Sequence, residues 1–116
     1  MVARVAAFFE TYDLLLTPAT VVPPFPVGER YVTECAGGAF ETYIDWLAIA
    51  YAITNVSMPT LSLPCGFTAD ELPVELQMVG KPRGEAVLLS AAGVLEDALG
   101  LGHLPIDPKV TVQPRT

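Results

Sequence analysis

Apolar positions along the chain change spacing several times, and each change marks a new element. In 2–11, Val5, Ala6 and Phe9 share one face at helical spacing. The run Tyr12 to Pro18 is different, a short apolar block closed by proline. It predicts a strand over about 13–17 buried on both faces, since Pro18 has no N–H for a ladder. Pro23, Pro24, Pro26 and Gly28 then demand an extended loop. Gly37 and Gly38 mark a further break. Helical spacing returns at Tyr43, Ile44, Leu47, Ala48, Tyr51 and Ala52, while Trp46, Ile49 and Ala50 fill the other face. A helix over about 40–53, apolar nearly all round and therefore buried, is expected.

The second half is more regular. Residues 60–65 form a short strand candidate, and Asp70 to Pro73 reads as a turn. Over 73–79 Val74, Leu76 and Met78 alternate onto one face. The two runs predict an antiparallel hairpin with a long loop, ended by Gly80-Lys81-Pro82. The clearest helix spans about 84–99. Its stripe is Val87, Leu88, Ala91, Ala92, Leu95, Ala98 and Leu99, with Glu85 at the positive end of the helix dipole and Gly100 and Gly102 as the stop. Pro105, Pro108 and Pro114 suggest an extended tail over 101–116. No internal repeat is present. The class is α/β, a few strands with flanking helices, read as one unit over 1–116 with its core in about 10–100.

Composition adds one constraint. Hydrophobic residues make up 52% of the chain and charged ones only 16%, against about 25% charged in soluble domains. A membrane span does not explain the excess. The longest uncharged stretch, Trp46 to Ala69, is broken by Asn55, Pro59, Pro64 and Gly66, so no continuous helix of about 20 apolar residues fits. Val2 to Phe9 is too short for a secretory leader. The expectation is a cytoplasmic protein whose apolar surplus packs on something outside this chain. The net charge is −7, and no Lys or Arg lies between Arg30 and Lys81. Nucleic acid, which requires clustered cations, is not an expected partner. Cys35, Cys65 and His103 are too few for a structural zinc site, so no metal is expected and the two cysteines read as packed thiols.

Candidate chemistry is thin. Ser62, His103 and Asp107 are the letters of a triad, but no motif joins them and no Gly-x-Ser-x-Gly elbow occurs. Cys65 before Gly66 has no nearby group to activate it and reads as a small residue entering a turn. Asp70, Glu71 and Glu75 could supply an acid/base pair, yet their place at a turn and the following strand favours solvated surface. Gly80 to Gly84 lacks the Gly-Lys-Ser/Thr element of a phosphate loop.

The order of segments carries more than any single motif. Asp13 to Thr20 resembles a "D-x-L-L-x-P-x-x" strand near the C-terminal end of amidase-signature enzymes. Pro59 to Phe67 resembles their "P-A-x-S-x-P-x-G-F", and Leu72 to Gly80 their "L-P-V-G-L-Q-I-V-G". Glu85, Leu88, Leu89, Ala92 and Glu96 match the helix "E-x-x-L-L-x-x-A-x-x-x-E". The matches are collinear over about residues 10 to 100. The resemblance implies carboxamide hydrolysis by a Ser-cisSer-Lys triad in an upstream Gly/Ser-rich region. No Gly-Gly-Ser-Ser-Gly-Gly run occurs in this chain, so it carries no catalytic, cofactor or metal residue over. The implied role is a C-terminal amidase segment, inactive alone, with strands in a mixed central sheet and loops lining the substrate funnel. Its expected partner is the missing N-terminal portion, or another copy of itself through apolar surface. A binding module or a drifting remnant is the alternative, and an independent hydrolase using Ser62 or Cys65 is remote. Both a broad aliphatic or aryl amidase and the A subunit of a glutamyl-tRNA amidotransferase could be the parent. Three departures stand out: Glu71, Glu75 and Ser57 occupy positions where the family usually has Gly. If those positions need positive φ or close approach, the two glutamates are destabilising.

Overall fold

The computed structural model describes residues 2–102. A helix, α1 (Val2–Thr11), leads into strand β1 (Leu14–Pro18). A miniature hairpin follows, β2 (Glu34–Cys35) and β3 (Gly38–Ala39). A 3-10 turn at Asp45–Leu47 runs into α2 (Ala48–Thr54). Two eight-residue strands, β4 (Thr60–Phe67) and β5 (Pro73–Gly80), precede the long helix α3 (Glu85–Leu99). The predicted extended tail, His103 and Asp107 lie outside the described residues.

The sheet is three-stranded in the order β1-β5-β4, with both pairings antiparallel. The strand read from the alternation over 73–79, β5, is its central strand, and its second half, Gln77 to Gly80, is buried on both faces. Leu61 faces Met78 and Leu63 faces Leu76 on one side, and Leu16 also faces Met78 from β1. α3 covers this side. Leu63, Met78, Leu88 and Ala92 form the buried centre, with Leu14, Leu61, Ala91, Leu95 and Leu99 packed around it. Met78 is 1% exposed. Gly80 lets α3 come close, because a Cβ there would sit 3.3 Å from the Cβ of Leu88. Gly84 opens the helix, its carbonyl accepting from Leu88 N, and left-handed Gly100 (φ 62°) closes it. A bulge at Cys65 shifts the β4–β5 register between Pro64 and Gly66. Pro64 is tolerated because β4 is an edge strand.

The expected helix over 40–53 is corrected. Phe40 N donates to Thr33 O and so closes the β2–β3 hairpin. Thr42 N donates to the Asp45 carboxylate at 2.7 Å. The first bond holds Phe40 in the hairpin, and the second is the return bond of a helix start, so coiling begins only at Asp45. Nor is the helix buried: α2 has no buried residue, and Tyr51 is 42% exposed. The strand expected over 13–17 is likewise not buried on both faces. Leu16 is 50% exposed, because β1 is an edge strand and α3 covers the sheet's centre. In α3, Val87 and Ala98 fall outside the buried stripe. The β2–β3 hairpin had no counterpart in the predicted elements. Its two turn residues, Ala36 (φ 50°) and Gly37 (φ 80°), both take positive φ, as a tight hairpin turn requires. Among the described residues no helix is long and apolar enough to cross a membrane.

Candidate functional site

Strand alternation puts a second set of side chains on the face away from α3. Thr17 and Ser62 both flank Gln77 there, while Pro64 faces Glu75 and Leu15 and Thr60 face Val79. Helix α2 and the turn before it stand over this face without closing on it. Two cavities lie along the gap between them, with no lining residue in common. The larger, about 920 Å³, is bordered by Phe25, Trp46 and Ile49 on one side and Glu75 on the other. The smaller, about 410 Å³, lies between Ala50 and Ile53 of α2 and Thr60 and Gln77 of the sheet.

The polar groups along this gap differ in how they are satisfied. Ser62 Oγ donates to Glu75 Oε2, and both residues are exposed. Gln77 is only 7% exposed, and its Nε2 is buried with no hydrogen-bond partner. The indole Nε1 of Trp46 is also buried and unpartnered. Both N–H groups are enclosed by protein, and the Glu75 carboxylate is the charged group at the open, larger cavity. Sequence reading passed over Gln77 and Trp46 as donors. Alternation does place Gln77 on the face of Glu75 and Ser62, but the lack of a partner depends on how α2 docks.

The residues weighed as chemistry are dispersed. Ser62 meets Glu75, a hydroxyl beside a possible base, yet a water-bathed carboxylate is a weak base for an alcohol. Cys65 is half-buried, its Sγ directed at Val74 O at 3.5 Å, and Cys35 Sγ reaches Val21 O at 3.3 Å. Both are packed thiols, unpaired with each other. Asp70 and Glu71 are exposed at the β4–β5 turn. Lys81 binds Asp13 at 2.9 Å, an exposed pair of small energetic weight. Among the described residues no group of three His, Cys, Asp or Glu could hold a metal ion. Among the described residues one carboxyl has a displaced titration. Asp45 is held below the usual carboxylate range, first by the backbone N–H of Thr42, then by the Thr42 side chain.

The three glycine-like positions separate cleanly. Glu71 has φ 61° and Ser57 φ 53°, both left-handed. Glu71 follows a turn closed by Thr68 O, which accepts from Glu71 N. Ser57 ends the unwinding of α2, its N donating to Thr54 O. Glu75 differs: it lies within β5, outside the positive-φ set, and its exposed carboxylate is hydrogen-bonded. The expectation that both glutamates strain the fold therefore holds for Glu71 and is corrected for Glu75.

Comparison with known proteins matches these features to one group. The family profile described as Amidase matches residues 1–89. The A-type subunit of glutamyl-tRNA(Gln) amidotransferase from Alkaliphilus metalliredigens (strain QYMF) is 41% identical over 95 residues, 80% of this chain and 18% of that protein. Its counterpart in Moorella thermoacetica (strain ATCC 39073 / JCM 9320) is 42% identical over 90 residues, 78% of this chain and 17% of that protein. Among solved structures, a 6-aminohexanoate cyclic dimer hydrolase superposes with a TM-score of 0.70 at 28% identity, covering 84% of this chain and 22% of that one. A bacterial aryl acylamidase of the amidase-signature enzymes superposes with a TM-score of 0.70 over 84% of this chain and 20% of that one. At 23% identity, this last likeness concerns the fold. The chain spans about a fifth of the length of the proteins it matches.

Proposed function

The chain belongs to the amidase family, and from that premise we propose that it is a structural segment of an amidase, unable to hydrolyse amides unaided. The observation that carries this reading is the partial span. The match extends over most of this chain but only about a fifth of each relative. The resemblance places a Ser-cisSer-Lys triad in a Gly/Ser-rich region, and no Gly-Gly-Ser-Ser-Gly-Gly run occurs here. The chemistry implied is attack of an activated serine on a carboxamide, giving a carboxylate and ammonia. In this reading residues 1–116 act as one C-terminal unit. Its strands extend a larger sheet, and its exposed apolar side chains pack on the N-terminal portion of the fold. Cytoplasmic residence suits the two free thiols.

The test is ammonia release from acetamide and benzamide by the purified chain, alone and mixed with a separately expressed N-terminal amidase portion. Activity in the mixture only is the expected result. Equal activity of the N-terminal portion with and without the chain would remove the structural role.

A second reading, a self-associating interaction module, has one observation in its favour. The sheet's outer strands, β1 and β4, have unpaired edges among the described residues. Sedimentation separates the two readings: the module predicts a dimer that persists on dilution.

A further inference from the structure

We propose that the larger cavity beside the sheet binds an organic ammonium ion, a protonated amine carried on an alkyl or aryl body. The proposal uses this cavity alone and stands apart from any amide chemistry.

Charge is the first element. Among the described residues Glu75 is the one charged side chain lining the cavity, and no Lys or Arg lines it. Along the chain no Lys or Arg occurs between Arg30 and Lys81, and Lys81 is engaged by Asp13. Ser62 Oγ donates to Glu75 Oε2, which sets the direction of the carboxylate and leaves its negative charge in place. An exposed carboxylate on an otherwise apolar cavity attracts a cation and repels an anion.

The walls are the second element. Phe25, Phe40 and Trp46 line the same cavity. The rings of Phe25 and Trp46 stand at 89° with centroids 5.6 Å apart. Two rings at right angles cannot cover each other's faces, so they form a corner of π surface. An ammonium group is drawn to such faces, whereas a neutral hydroxyl of similar size is not. Ile49 and Val74 extend the apolar lining for the body of the ligand. The smaller cavity has neither a charged nor an aromatic lining residue and offers no such site.

The corner is also held in place. Phe25 follows Pro23 and Pro24, whose rings fix φ. Thr20 Oγ1 donates to Val22 O at 2.6 Å, and Cys35 Sγ to Val21 O at 3.3 Å, which ties this loop to β2. A wall held before the ligand arrives loses little binding energy to ordering.

Benzylamine and benzyl alcohol test this directly. They share the ring and the methylene, and at pH 7 the amine carries a positive charge. Each would be titrated into the 15N-labelled chain, following the backbone amides of Ala19, Phe25 and Glu75. Benzylamine should shift these signals and bind about fivefold or more tighter than benzyl alcohol. Glu75→Gln keeps an acceptor for Ser62 and removes the charge; it should bring the two affinities together. Phe25→Leu keeps an apolar wall without π surface, and should weaken benzylamine about threefold with benzyl alcohol little changed. The absence of shifts with millimolar benzylamine, shifts confined to other residues, or equal affinity for the two ligands in the parent chain would overturn the proposal. So would a preference for the amine that persists unchanged in Glu75→Gln or in Phe25→Leu. The readout is binding by the chain alone, so its failure leaves the amidase reading standing, and failure of complementation leaves this result intact.

Discussion

Glu71 and Glu75 stand four residues apart and ask opposite things of the backbone. Glu71 holds a left-handed φ of 61°, where a side chain is unfavourable by about 1–2 kcal/mol and glycine is not. Glu71→Gly should raise stability by about 1 kcal/mol, seen as a higher urea midpoint at unchanged slope. Glu75 sits in the central strand, where glycine loses entropy and the Ser62 bond would be lost. Glu75→Gly should lower stability by about 1 kcal/mol, so the double variant should fall near the parent. The remnant hypothesis keeps Glu71 as support and loses Glu75. Asp45 gives a pH test at this scale. Its carboxyl titrates below the usual value because Thr42 donates to the charged form. The contribution is therefore present above the unfolded value of 3.8 and is lost as pH falls through the lower folded one. Weaker protection of the Thr42 amide in acid should report it, and Asp45→Asn should flatten that dependence.

At the scale of elements, the β4–β5 hairpin and α3 were legible because their periods are clean and their ends carry Gly or Pro. Met78, one of three residues that alternation put on the covered face, is the most buried of the core cluster, and Met78→Ala should destabilise by about 2–5 kcal/mol. Gly80 and Gly93 make a matched pair. A Cβ at Gly80 meets Leu88 Cβ at 3.3 Å, close to the helix backbone, whereas nothing lies within 4 Å of one at Gly93 in α3. Gly80→Ala should destabilise by about 1–3 kcal/mol by forcing β5 and α3 apart. Gly93→Ala should stabilise by about 1 kcal/mol through helix propensity. Thermal or urea melts of the two variants should move in opposite directions. The region 33–47 was the least legible. Its path is decided by the Phe40–Thr33 and Thr42–Asp45 bonds, which periodicity does not register. Half of the gap was readable in the same sense. Glu75, Gln77 and Ser62 share a face by alternation, but the opposing wall depends on a helix that begins later than its apolar spacing suggests.

For the whole molecule, the apolar surplus seen in the composition reappears as exposure. Thirteen large apolar side chains are exposed among the described residues, against eight buried hydrophobic ones. Tyr43, Ile44 and Tyr51 near α2, and Leu89 and Val94 on the outer face of α3, are among them. Such surface is what a segment cut from a larger core would present. In the proposed function this surface serves an amidase whose chemistry resides elsewhere. The most direct test is ammonia release from benzamide by the purified chain alone. Release indistinguishable from the buffer blank is the predicted result. Sustained turnover by the lone chain, abolished by Ser62→Ala, would contradict it.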